Sequence, residues 1–234
     1  MSKKNVIVTV VLMLLIVATT GFAADKYQWK LVDTEDNCQV YTSAVPGKEY
    51  IAAKATCVIP ARMDVLGLII RDIANYPEWM QDCKDTKILK VVDDQNDVFI
   101  FWFRQHVDLF TDRDMVIKSY VENKYDKGMV IVHGDLTTEI PHDAGKGYIR
   151  MPSFSSVFTL EWMDQGHTRI SLAVDPDLGK GLPKSVANML IKTTPLKSLK
   201  HMRKLAKDHK IVAAAKASKY NKAVEDAIKA GYIK

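Results

Sequence analysis

Apolar and polar residues alternate along most of the chain, and the period changes twice. Residues 38–45 (CQVYTSAV) and 50–59 (YIAAKATCVI) both alternate with period two across Pro46-Gly47-Lys48-Glu49, which reads as a β-hairpin. Pairing Val45 with Tyr50 sets the register and puts Cys38 opposite Cys57, with both sulfurs on the face carrying Val40, Ala53, Ala55 and Ile59. Pro60 then opens a helical stretch in which Met63, Leu66, Ile69, Ile70 and Ile73 recur at three- and four-residue spacing. Asn75-Tyr76-Pro77-Glu78-Trp79-Met80 ends it. Strands follow at 86–92, 98–109, 115–122, 129–136, 147–152, 156–163 and 168–175, divided by turn sequences such as 93–97 (DDQND), Asp126-Lys127-Gly128 and 164–167 (DQGH).

The period returns to helical after Asp175. Leu182-Pro183 starts a helix whose first apolar stripe is Val186, Met189 and Leu190, and Pro195 predicts a kink or break near 192–194. Leu196, Leu199, Met202 and Leu205 or Ala206 continue the stripe, opposite Lys197, Lys200, Arg203, Lys204 and Lys207. An antiparallel meander must bury one face, and this helix is its natural cover, so the fold class is α+β. Ordinary core accounts for the stripe most simply. A helix lined by methionine and leucine also suits a deformable hydrophobic pocket. Beyond it, Ala217, Tyr220, Val224, Ala227 or Ile228 and Gly231 suggest a weakly amphipathic C-terminal extension over 211–234.

The N-terminus carries Lys3 and Lys4, an apolar run over 6–18 and small residues ending at Ala24, the pattern of a secretory signal cleaved after Ala23. The run is shorter than the ~20 residues that span a bilayer, and no cysteine at the cleavage point would take a lipid anchor. An uncleaved anchor is the alternative. The expected compartment is the periplasm or the exterior, and the expected domains are residues 1–23 as signal, 24–210 as one globular domain and 211–234 as the extension.

Charge divides the chain. The full chain carries +5, yet residues 180–234 hold 14 Lys and Arg against three acids, a net +11, which leaves 24–179 at −8. A basic terminus on an acidic body suggests an anionic membrane surface, docking onto the body, or a merely solvated face. Nucleic acid is not an expected partner of an exported protein, and the chain is expected to be monomeric. Cys38 and Cys57 would form a disulfide in an oxidising compartment or remain as two buried thiols, and Cys83 has no evident partner. No CxxC, CxxCH, GxSxG, HExxH or glycine-rich phosphate loop occurs, so no cofactor, metal or catalytic group is expected.

Several pieces, in order, resemble the START (steroidogenic acute regulatory protein-related lipid transfer) domain: Trp29; Val40-Tyr41-Thr42; Asp72, Tyr76-Pro77 and Trp79-Met80; Arg113-Asp114; Gly147-Tyr148-Ile149-Arg150; and Asp175, Gly181-Leu182-Pro183-Lys184-Ser185 and Asn188. The resemblance implies a helix-grip fold, in which a curved antiparallel sheet clasps the long C-terminal helix around a hydrophobic tunnel. It also implies one bound lipid, such as a sterol, hopanoid, phospholipid or fatty-acyl lipid, and no chemistry.

Family members that carry sterols face an acid and an arginine inside the tunnel, and counting from Arg113-Asp114 puts Ile100 and Ser119 at those positions, so the pair is absent. With Ile100 inward, alternation turns Trp102 and Arg104 inward as well and packs Phe99, Phe101 and Phe103 on the other face against helices. A buried Arg104 would need an acid or an anionic headgroup, unless it sits hydrated at the mouth. Phe158, Leu160, Trp162, Met189, Leu199 and Met202 complete the expected lining. The loop 135–146, with Glu139, Ile140 and Pro141 at its tip, aligns with the family's gate. Two alternatives stand beside lipid carriage: a cyclase- or aromatase-like enzyme drafting His106, Asp108, His133 and Glu139, and a partner-binding module whose core is filled.

Overall fold

The computed structural model describes residues 26–143 and 145–234; the expected signal segment and cleavage point lie outside the described residues. Ten strands form one sheet in the order β1-β2-β3-β10-β9-β7-β6-β5-β4. They are β1 (Lys30–Glu35), β2 (Cys38–Ser43), β3 (Ala52–Ile59), β4 (Cys83–Asp93), β5 (Val98–Gln105), β6 (Asp112–Lys124), β7 (Met129–Leu136), β8 (Tyr148–Arg150), β9 (Ser155–Asp164) and β10 (His167–Val174). Pairing is antiparallel except at β8, which runs parallel to β6 off the main path and so departs from the simple meander. Because β10 pairs with β3, the two ends of the chain's strand set meet, and the curved sheet has a concave face to fill.

The first hairpin forms in the expected register. Cys38 lies opposite Cys57 and the two sulfurs are bonded, while Cys83 is free and buried. Small side chains then set how close the cover can lie. Ala53 and Ala55 on β3 and Ala187 on the long helix are fully buried, so helix and sheet pack closely over β3 and β10.

That helix, α2 (Lys184–Leu205), is unbroken at Pro195, contrary to the expected break. The Thr193 and Thr194 hydroxyls donate to the carbonyls of Met189 and Leu190, at 3.0 and 2.8 Å, in the turn before the proline. Buried Ile191, Leu196, Leu199 and Met202 hold both halves of the helix against the sheet.

The other helices pack together at one end. α1 (Met63–Arg71) is followed by a 3₁₀ segment, Ile73–Glu78, and carries α3 (His209–Lys216) and α4 (Lys219–Lys229) on its flank. Asp208 and Ser218 cap α3 and α4 by accepting from the backbone N–H groups of Lys210 and Asn221. The extension is thus fixed to the domain, and part of the basic charge is spent on the acidic body: Lys192 meets Asp33, Lys200 meets Glu35 and Asp36, and Lys219 meets Asp97. Among the described residues, no helix is long and apolar enough to cross a membrane.

Candidate functional site

The strand register decides which side chains reach the interior. Directly paired residues share a face, and β5 pairs with β6 so that Phe99 meets Ser119, Phe101 meets Ile117 and Phe103 meets Met115. These six residues look toward the helices. Together with Phe158 and Leu172 from β9 and β10 and Ile191 and Thr194 from α2, most of them enclose a cavity with about 820 Å³ of atom-free space, part of it open to solvent. Its wall is almost wholly apolar, with Gln81, Gln105 and Ser119 among its few polar groups.

A second chamber, with about 580 Å³ of atom-free space that is also partly open to solvent, adjoins it, and Tyr76, Ser119 and Val132 border both. Phe99, Val121, Val130, Leu160 and Val224 line the second chamber. The Tyr76 hydroxyl donates to the carbonyl of Ile70 at 2.8 Å, which fixes the ring between the chambers. Burial drives the ionisation of that phenol well above its ordinary range, so it remains a neutral wall.

Several expected lining residues lie elsewhere. Ile100, Trp102 and Arg104 occupy the outer face of β5, since the interior partner of Ser119 is Phe99 and not Ile100; the expected parity was shifted by one residue. Ile100 and Trp102 pack with Val116, Leu89 and Ile140 in a separate cluster, and the indole N–H of Trp102 donates to Asp114 at 2.9 Å. Arg104 finds an acid and not a ligand: its guanidinium binds Asp112 at 2.7 Å and lies over the Tyr148 ring at 5.0 Å. Phe99, Phe101 and Phe103, expected on the face opposite Ile100 and against helices, do face the helices, and that face is the interior one.

The remaining positions divide. Ser119 and Phe158 line the first chamber and Leu160 the second. Leu199 and Met202 are fully buried in the core under α2 without lining either chamber. Met189 is 55% exposed, because the buried stripe of α2 runs through Ala187 and Ile191 and leaves Met189 on the outside. Trp162 lies beside the C-terminus, where its indole donates to the carbonyl of Lys234 at 2.9 Å.

The loop expected as the gate is pinned to the outer face of the sheet. Glu139 pairs with Lys118 at 2.6 Å, Ile140 packs on the Trp102 cluster, and Pro141 is exposed beside them. Arg150 grips Asp114 at 2.9 and 2.7 Å and donates to the carbonyl of His142. Among the described residues of 135–146 none lines the cavity, whereas Phe154, in the connection from β8 to β9, does.

The groups considered for acid and base catalysis are scattered. His106 bridges Asp112 and Asp108 at 2.8 and 3.0 Å on the exposed turn after β5. His133 stacks on Tyr120 at 4.6 Å with Glu122 2.9 Å from its Nε2, and Glu139 is held by Lys118. Among the described residues no cluster of His, Cys, Asp or Glu has metal-binding geometry.

The connection from β10 to α2 borders the first chamber with Pro176 and Leu178, and its anchors were not read as such from the sequence. Arg113, fully buried, donates from Nε to the carbonyl of Leu178 at 3.2 Å and from Nη2 to that of Lys180 at 3.1 Å, and it also binds the Thr111 carbonyl. The Tyr50 hydroxyl donates to the Gly179 carbonyl, and the Asn188 side chain accepts from the Ile51 N–H. Asp175 accepts from Tyr27, Lys26 and Lys48 at 2.7–2.9 Å. Burial alone would raise the pKa of this carboxyl, but the three donors outweigh it and hold the group below its ordinary range. Arg113 and Asn188 therefore shape the cavity wall by holding backbone and Asp175 by gathering the side chains of Tyr27, Lys26 and Lys48, and none needs to touch an occupant.

The architecture has counterparts. An uncharacterised protein of Pseudomonas aeruginosa, PA1579, is 31% identical over 194 residues, covering 81% of this chain and 91% of its own. The crystal structure of a STAR-related lipid transfer protein fragment from Xanthomonas axonopodis superposes with a TM-score of 0.68 at 21% identity, over 77% of this chain and 99% of the fragment. Human STARD10 superposes with a TM-score of 0.67 at 15% identity, over 76% of this chain and 72% of its own. Residues 17–211 match the START domain family, and this chain belongs to it.

Proposed function

We propose that this protein is an exported lipid carrier that holds one hydrophobic ligand, a sterol, hopanoid, phospholipid or fatty-acyl lipid, beneath α2. The carrying observation is the cavity itself, in which Phe101, Phe103, Met115, Ile117, Phe158 and Leu172 present an apolar wall between sheet and helix. Burying apolar ligand surface there is favourable. The likeness to a structure described as a lipid transfer protein points the same way. Export is supported by the N-terminal sequence pattern and by the cross-strand pair Cys38 and Cys57.

Entry in this reading uses the mouth formed by the β10–α2 connection, α2 and the turn between β5 and β6. That turn presents Leu109 fully exposed, in left-handed backbone at φ 64°, an arrangement a free solvent loop has no need of. Exposed Lys184, Lys197 and Lys204 on α2 give the basic helix a charge that an anionic leaflet would attract.

The test is native mass spectrometry of protein purified without detergent, followed by lipid extraction. A stoichiometric lipid adduct is the expected result. Protein that carries no lipid and takes up none from mixed vesicles of phosphatidylethanolamine, phosphatidylglycerol and cholesterol overturns the reading. Salt-sensitive co-sedimentation with anionic but not neutral vesicles is expected for the membrane step, and equal binding to both would remove it.

A further inference from the structure

One wall of the second chamber is a helix that lies beyond the family match: Tyr220 and Val224 of α4 (Lys219–Lys229) line it, and α4 follows residue 211. We propose that this chamber is a dedicated pocket for the terminal segment of an acyl chain, with α4 as its stopper, so that the C-terminal extension sets the longest chain the protein accepts. The proposal rests on the lipid-carrier reading and adds to it the ligand class, an elongated single- or double-chain amphiphile.

Three observations carry it. The chambers share Tyr76, Ser119 and Val132 in their walls, so these side chains are what separates a flexible chain lying along the first from the second. The second chamber is apolar in its centre and polar at the rim where α4 sits. There Asp97 accepts from Arg71, Lys219 and Tyr220 at 2.9–3.0 Å, and Asp64 accepts from Asn221 at 2.9 Å. These bonds clamp α4 to the body without filling the space beneath it.

The third observation is Gly67. It lies inside α1, where glycine is less favourable than alanine, and its backbone requires no glycine. A Cβ at this position would meet only the Tyr220 ring, at 3.9 Å, in ordinary contact. Neither strain nor crowding accounts for the missing side chain, and Gly67 lines the second chamber. Its absence keeps the space open.

The test compares the binding of decanoic, tetradecanoic and octadecanoic acids by displacement of a fluorescent fatty acid. Each methylene denied burial should cost roughly fourfold in affinity, so Gly67→Leu is expected to weaken octadecanoic acid by about tenfold or more and leave decanoic acid within about twofold. Val224→Phe fills the chamber from the α4 side and should do the same, and thermal unfolding identifies any variant that fails to fold. If both folded variants keep the wild-type length profile, or weaken all three acids equally, the second chamber is a packing void and the proposal fails. A wild-type protein that carries another lipid but binds none of the acids overturns the chain-end pocket and leaves the carrier reading intact. One that binds neither overturns both.

Discussion

The buried guanidinium of Arg113 donates to the main-chain carbonyl of Leu178 at 3.2 Å, joining the start of β6 to the connection that leads into α2. The same fork reaches the carbonyls of Thr111 and Lys180, so one side chain holds three backbone acceptors that water cannot reach easily. A lysine would retain the charge but not the planar spread of donors. Arg113→Lys is therefore expected to cost about 3 kcal/mol, from carbonyls left without partners, and the loss should appear as a lower urea midpoint with little change in slope. A stability within experimental error of wild type would show that the fork is dispensable.

Asp175 holds the other end of this connection, and its pH dependence has a definite sign. Its carboxyl lies below the ordinary range when folded, so the stability it supplies is fully present above the unfolded value, about 3.9, and is lost as pH falls through the folded value. Asp175→Asn should be less stable than wild type at neutral pH, and the gap should narrow as pH drops below about 4. Urea midpoints measured from pH 7 downward test this. A gap that stays constant into acid would mean that Asp175 acts through shape alone.

The sequence carried the hairpin register, the strand series, the first helix and the long covering helix, because each has a clean period and clear breakers. The Cys38 and Cys57 pairing followed from that register. The cavity wall was harder to read, for a physical reason. Alternation identifies the inner face only where the outer face is polar, and β5 is apolar on both, with Phe99, Phe101 and Phe103 inside and Ile100 and Trp102 outside. The outer pair is apolar because the connection from β7 to β8 covers it through Ile140, while His142 and Tyr148 approach the Trp102 ring at 5.4 and 6.2 Å. The register in the structure resolves it, since directly paired residues share a face and Ser119 pairs with Phe99. On α2 the stripe expected at Val186, Met189 and Leu190 passes over Ile191, and packing against the sheet is what separates Met189 from Ile191.

That separation is itself testable. Ile191 lines the first chamber, whereas Met189 is exposed on the far side of α2. Ile191→Trp should fill cavity space from the helix side, lower ligand uptake by at least about tenfold, and cost or gain no more than about 3 kcal/mol in the ligand-free protein. Met189→Trp adds the same ring and should leave uptake unchanged. Equal loss in both variants, measured with the lipid that co-purifies, would mean that the ligand approaches α2 from outside.

The three cysteines should behave as two classes. Cys38 and Cys57 are bonded across neighbouring strands at a sequence separation of 19, so opening the bond frees a loop whose closure is worth about 3 kcal/mol in the unfolded chain. Cys83 is buried, and desolvation pushes its thiol up to about 12, which leaves almost no thiolate near neutral pH. Iodoacetamide should therefore label no site on the folded protein, one site after denaturation and three after denaturation with reductant, as read by intact mass. Cys38→Ala with Cys57→Ala should lower stability by about 3 kcal/mol and make the protein insensitive to reductant. Cys83→Ala should keep that sensitivity, because only the cross-strand bond ties the first hairpin at its open end. Labelling at three sites without reductant would break the assignment and remove the oxidising compartment's strongest support.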